Sequence, residues 1–195
     1  MNLPNKLTLA RLVLTALFVA CMTSGASLGY SLGLAVFALA IATDYFDGML
    51  ARKYHLITDF GKLMDPLADK ILTASAFICL IPVELAPTWA VPTWAVIAII
   101  AREFLITGLR LLAGSKGVVL PAERLGKHKT AWQMATVTFF LLLLALGEWP
   151  GLLPEKALGI AAVWIGPSLI GVTVALTIWS GGAYLWKNRN LIEDK

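Results

Sequence analysis

The chain has 195 residues, of which 58% are hydrophobic and only 14% charged, with a mean hydropathy of +0.78. Soluble domains average about 45–50% apolar and about 25% charged residues, so the composition excludes an ordinary soluble domain and implies one polytopic membrane domain. The net charge of +4 comes without a basic run interleaved with aromatics, so nucleic acid is not an expected partner; the surplus fits inside-facing lysines and arginines.

About 20 apolar residues are needed for a helix to cross the hydrocarbon core. Six stretches qualify: Leu7 to Thr23, Tyr30 to Leu50, Lys62 to Ile81, Thr93 to Ala113, Thr130 to Leu146 and Leu158 to Trp186. The expected fold is therefore all-α, with six transmembrane helices. Lys6 and Arg11 ahead of the first apolar run imitate a signal peptide, but an uncleaved first helix is expected. Gly25, Gly29 and Gly33 recur at helical spacing and suit either close helix packing or a turn. Cys21 and Cys79 lie in apolar stretches and read as packing residues. Pro82, Pro87 and Pro92 break the third connection, and Pro150 and Pro154 the fifth. Trp89, Trp94, Trp149, Trp179 and Trp186 fall near predicted helix ends, as an interfacial belt requires.

Loop charge alternates. Lys6 and Arg11, then Arg52, Lys53 and Lys62, then Lys116, Arg124, Lys127 and Lys129, and finally Lys187, Arg189 and Lys195 mark one side; the intervening loops hold only Lys156. The positive-inside rule puts both termini in the cytoplasm.

Four acids stand out in this apolar chain. Asp44 and Asp47 are three residues apart near the end of the second stretch, and Asp65 and Asp69 four apart near the start of the third. Each pair shares a helix face, and a bend between Arg52 and Gly61 would bring the pairs together. A carboxylate within a bilayer costs roughly 2.5–3.5 kcal/mol, so four require a compensating charge. Clustered hard oxygens suit Mg²⁺ or Mn²⁺, and four carboxylates suffice for two ions. Gly48 and Gly61 would let a bulky ligand approach the backbone, and Arg52 offers a forked phosphate donor.

The stretch Asp44 to Asp69 matches the pattern D-x2-D-G-x2-A-R-x8-G-x3-D-x3-D at every position. By that pattern the chain resembles the CDP-alcohol phosphotransferase family. The resemblance implies attack of an alcohol on the β-phosphorus of a CDP-linked lipid, with CMP leaving. It also implies metal ligation by Asp44, Asp47 and Asp65, and proton abstraction by Asp69, which could also touch a metal. Gly48, Ala51, Arg52 and Gly61 would cradle the cytidine diphosphate.

Arg102 and Arg110, eight apart on the fourth stretch, and Lys127 and Lys129 before the fifth are four cations that suit an acceptor carrying its own phosphate. Pairing with Glu103 or Glu123, or plain loop charge, is the alternative. Further segments (Asn5 to Arg11, Arg102 to Arg110, and Gly126 to Thr130 followed by Gln133) resemble the bacterial phosphatidylglycerophosphate synthase branch of the family. That branch implies CDP-diacylglycerol as donor, sn-glycerol 3-phosphate as acceptor, a bacterial inner-membrane location and a homodimer among membrane lipids. Asn5, Thr8 and Arg11 would then touch the donor, although a helix cap and an inside-positive anchor also explain them. His55 and His128 are expected in polar loops without a catalytic role. Rival readings are the same chemistry with serine, an inositol phosphate or phosphatidylglycerol as acceptor, and, more distantly, an ion-coupled transporter. No internal repeat supports the latter.

Overall fold

The computed structural model of the chain describes residues 3–53, 59–86, 89–118, 120 and 124–189; within these, the side chains of residues 3–5, 45–53, 59–63, 65, 66, 85, 86, 89, 124, 125 and 127 lie outside the description. Helices dominate. In chain order they are α1 (Leu3–Thr23), α2 (Gly29–Lys53), α3 (Asp59–Leu80), α4 (Thr93–Ser115), α5 (Arg124–Gly147), α6 (Glu155–Ile160) and α7 (Gly166–Lys187). A π-helical turn, Ala161–Ile165, joins α6 to α7. Pro167 at the start of α7 lacks an N–H, and a widened turn just before it accommodates the missing bond. The helical rods match the six expected stretches, each within a few residues except at the start of α5.

Two differences from the expected pattern matter. The proline-rich third connection contains a small antiparallel pairing of β1 (Glu84–Ala86) with β2 (Trp89–Ala90), where only a turn was expected. It leaves the fold class all-α. The fifth helix begins at Arg124, not at Thr130, so the Gly126 to Thr130 segment is helical. His128 therefore lies exposed on α5 and not in a loop. Its neighbours Lys127 and Lys129 are good helix formers, which outweigh one glycine.

Helix α1 shows how the bundle is built. Thr8, Arg11, Thr15, Phe18 and Met22 are buried at helical spacing, while Leu9, Val13 and Leu17 are exposed on the opposite face. Apolar residues outside and polar ones inside reverse the soluble pattern and fit a helix facing lipid. The core joins Phe18, Phe37, Phe77, Phe140, Leu72, Leu80 and Ile99 from α1 to α5. The Phe18 and Phe37 rings pack at 5.6 Å between centroids, tilted by 45°. Helix α1 packs on α2 and α3, and α7 on α4 and α5. The buried hydroxyls of Thr136 and Thr173 lie 2.8 Å apart, bonding α5 to α7.

The glycine ladder divides by role. A Cβ on Gly29 would sit 2.8 Å from the Cys21 carbonyl, and one on Gly33 would sit 3.0 Å from Met22 Sδ, so both let α2 approach α1 closely. Gly25 has φ +66° and open space around it, so it serves the turn. By length and composition the segments Lys6–Thr23, His128–Gly147 and Glu155–Lys187 can cross a membrane, and Gly29–Asp44 is a shorter apolar helix. The apolar run of helix α4 is interrupted by Arg102, Glu103 and Arg110. Trp94, Trp149, Trp164, Trp179 and Trp186 are all exposed. Cys21 and Cys79 are free thiols.

Candidate active site

The aspartate signature occupies the C-terminal part of α2 and the N-terminal part of α3. The backbone of Asp47, Gly48, Ala51 and Arg52 is helical in α2, and that of Gly61 and Asp65 in α3. The side chains of these residues, and those of Asn5 on α1 and Lys127 on α5, lie outside the described residues, as does His55 entirely.

The described members of the signature are Asp44 and Asp69. Asp44 is half-exposed, and its Oδ1 lies 2.8 Å from Nη2 of Arg11, whose side chain is only 1% exposed. A buried guanidinium thus links α1 to the first aspartate, and Thr8 and Thr15 are buried one turn to either side of it. Thr15 turns its hydroxyl back onto the Arg11 carbonyl at 2.8 Å. Asp69 feels the charges of Asp44, Arg11, Lys70 and Glu103, so it stands where the signature meets a second charged group.

That second group lines a cavity of about 500 Å³. Asp69 and Lys70 enter from α3, Arg102, Glu103, Thr107 and Arg110 from α4, Lys129 and Thr130 from α5, and Ser180 and Tyr184 from α7. The spacing 102, 103, 106, 107, 110 follows one face of α4, which turns a charged stripe towards the interior. Arg102 donates from Nη1 to Glu103 Oε1 at 3.2 Å and from Nη2 to Ser180 Oγ at 3.2 Å. Lys129, 3% exposed, also donates to Glu103 Oε1. Arg110 donates from Nε to the Tyr184 hydroxyl at 3.2 Å, and its guanidinium lies 5.5 Å from that ring's centre.

Three of the four cations expected to converge, Arg102, Arg110 and Lys129, share this cavity with Asp69. Glu103 does pair with two of them, as the alternative reading anticipated, yet among the described residues the cavity keeps a formal surplus of two positive charges, with Lys70, Arg102, Arg110 and Lys129 against Asp69 and Glu103. Low-dielectric walls strengthen the attraction of such a surplus for an anion. Lys70, Ser180 and Tyr184 were not foreseen. Lys70 directly follows Asp69, and Ser180 and Tyr184 are four apart in an apolar helix, signals from which they could have been found.

Asp44 and Asp69 are hard-oxygen donors on two helices, close enough to feel each other's charge and offset by one buried guanidinium; this donor chemistry fits a hard divalent cation. Among the described residues no three candidate ligands gather.

The family model for CDP-alcohol phosphatidyltransferase matches residues 1–179. A Bacillus subtilis protein named CDP-diacylglycerol–glycerol-3-phosphate 3-phosphatidyltransferase is 39% identical over 96% of this chain and 95% of its own length. A protein of the same name from Rickettsia felis is 39% identical over 94% of this chain and 93% of its own. A Mycobacterium tuberculosis protein named probable phosphatidylglycerophosphate synthase is 40% identical over 74% of this chain and 68% of its own. With the signature complete, the family model matching residues 1–179 and a relative 39% identical over 96% of the chain, the chain belongs to the CDP-alcohol phosphatidyltransferase family of membrane-embedded transferases.

Proposed function

We propose that the protein transfers the phosphatidyl group of CDP-diacylglycerol to sn-glycerol 3-phosphate, yielding phosphatidylglycerophosphate and CMP, as a step of phospholipid synthesis. The observation that carries this reading is the cavity in which Asp69 shares walls with Arg102, Arg110 and Lys129. An acceptor with its own phosphate satisfies that positive surplus; serine would leave it unmatched. The relatives' names agree with this acceptor.

In this reading the acceptor phosphate binds Arg102, Arg110 and Lys129, with Lys127 nearby in the chain, and the acceptor's primary hydroxyl is directed to Asp69. Asp69 takes the hydroxyl proton as the oxygen attacks the β-phosphorus, and the bond to CMP breaks. Asn5, Thr8, Arg11, Gly48, Ala51, Arg52 and Gly61 hold the CDP-lipid. Asp44, Asp47, Asp65 and Asp69 would hold Mg²⁺ or Mn²⁺, two ions in all, whose chemistry is to offset the diphosphate charge. The setting is a single domain of six spans in a bacterial inner membrane, with both termini and the site on the cytoplasmic side, working as a homodimer.

The test is turnover by purified protein given CDP-diacylglycerol, Mg²⁺ or Mn²⁺, and a panel of acceptors, followed as CMP release and lipid product. Product is expected with glycerol 3-phosphate alone, and none in excess chelator until either metal is restored. Turnover with serine but not with glycerol 3-phosphate would refute the acceptor assignment.

A further inference from the structure

Helix α7 holds no residue of the aspartate signature, yet it forms one wall of the cavity. The family match ends at residue 179, just before the turn of α7 that touches Arg102. Gly181 is buried there. A Cβ at this position would lie 2.9 Å from Arg102 Cγ, 3.5 Å from its Nε and 3.8 Å from its Cδ. Cγ is near the root of the side chain, so pushing it aside swings the whole guanidinium. The neighbouring Gly182 has nothing within 4 Å, so tight packing belongs to position 181 and not to glycine at this end of α7 in general.

Ser180 completes the seat. Its hydroxyl donates to the Thr177 carbonyl at 3.2 Å, which turns its lone pairs outward, and it accepts from Arg102 Nη2 at 3.2 Å. Glu103 takes Nη1 on the other side. The stem of Arg102 is thus set by Gly181 and its planar head by Ser180 and Glu103. An arginine held at its stem and at both Nη atoms presents its donors in one orientation, which matters because forked recognition of a phosphate depends on angle as well as charge.

We infer that Ser180 and Gly181 are positioning residues for acceptor selection: they seat Arg102 so that its guanidinium meets the acceptor's phosphate. The inference rests on the acceptor role proposed for Arg102. Neither residue touches the reacting atoms; both act through the arginine.

Steady-state kinetics with purified full-length protein in mixed micelles test this, with glycerol 3-phosphate and CDP-diacylglycerol varied in turn. Gly181→Ala should raise the KM for glycerol 3-phosphate roughly ten-fold or more, the scale of a displaced charge-assisted hydrogen bond, while the KM for CDP-diacylglycerol moves less than about two-fold. Ser180→Ala should give a smaller rise of about three- to ten-fold, and it decides the matter if Gly181→Ala does not fold. In an Arg102→Ala background neither change should add more than about two-fold, since the residue they position is gone. Gly182→Ala should behave as the parent. Additive losses in the Arg102→Ala background, or equal effects on both substrates, overturn the seating role alone. An unchanged acceptor KM in Arg102→Ala itself would instead remove Arg102 from the acceptor site, and the proposed reading of the cavity would fall with the inference.

Discussion

Glu148 and Glu103 are both carboxylates held between helices, but they serve opposite ends of the bundle. Glu148, just after α5, accepts the Tyr30 N–H on Oε1 and the Ser31 N–H on Oε2, each at 2.7 Å. The first turn of α2 has no acid of its own, so Glu148 satisfies two backbone donors and complements the helix dipole from another part of the chain. Trp149 reinforces the joint by donating to Ser31 Oγ at 3.1 Å. Glu103 holds side chains, not backbone: its partners are Arg102 and Lys129, and it borders open space. A carboxylate on fixed backbone donors makes a joint. In the proposed reading, one on cations beside a cavity leaves those cations available to another anion. Substitutions at the joint should therefore change stability without kinetics, and substitutions at the cavity the reverse.

The largest effect should come from Asp69→Asn, which keeps the shape and removes the proposed base. Turnover is expected to fall by about 10²–10⁴-fold in single-turnover assays, with the melting temperature near that of the parent. Full activity would detach Asp69 from the chemistry and with it the functional reading of this end. Next, Arg110→Ala should raise the acceptor KM roughly ten- to hundred-fold and leave the donor KM nearly unchanged. Equal effects on both would place Arg110 outside the acceptor site.

Glu148→Ala tests the other half of the comparison. Losing both backbone bonds should cost about 2 kcal/mol of stability, measurable by thermal unfolding in detergent, with both KM values as in the parent. A changed acceptor KM in this variant would break the contrast between the two ends. The smallest effect is expected for Tyr184→Phe, which removes the hydroxyl partner of Arg110 but keeps the ring beneath it. About a three-fold rise in acceptor KM is expected in the same assay, within the modest range of one neutral hydrogen bond.

Much of the architecture was legible in the chain. Apolar length located the long helical rods, because crossing a bilayer sets a length that any window of sequence can be checked against, although among the described residues three segments, not six, are long and apolar enough to cross. The signature was legible for a similar reason: the members of each aspartate pair are three or four residues apart, a spacing that helical periodicity puts on one face. The start of α5 was misplaced, because a glycine and three basic residues in five read as loop when helix propensity, and the Lys129–Glu103 contact, favour helix. The third connection was read as turn because its prolines mask the few residues able to pair as strands.

By itself, then, the sequence determined the approximate position of the long helices, the aspartate pairs and the identity of the cations, all of which depend on near neighbours along the chain. Only the tertiary structure decided who stands beside whom. Arg102 meets Ser180 across 78 residues and Arg110 meets Tyr184 across 74, and Arg11 closes on Asp44 from another helix. The physical reason lies in the solvent. Where lipid covers the outside, both faces of a helix are largely apolar, so periodicity does not tell which face packs or on which partner. A serine, a glycine and a tyrosine in the last helix acquire meaning only once α7 lies against α4.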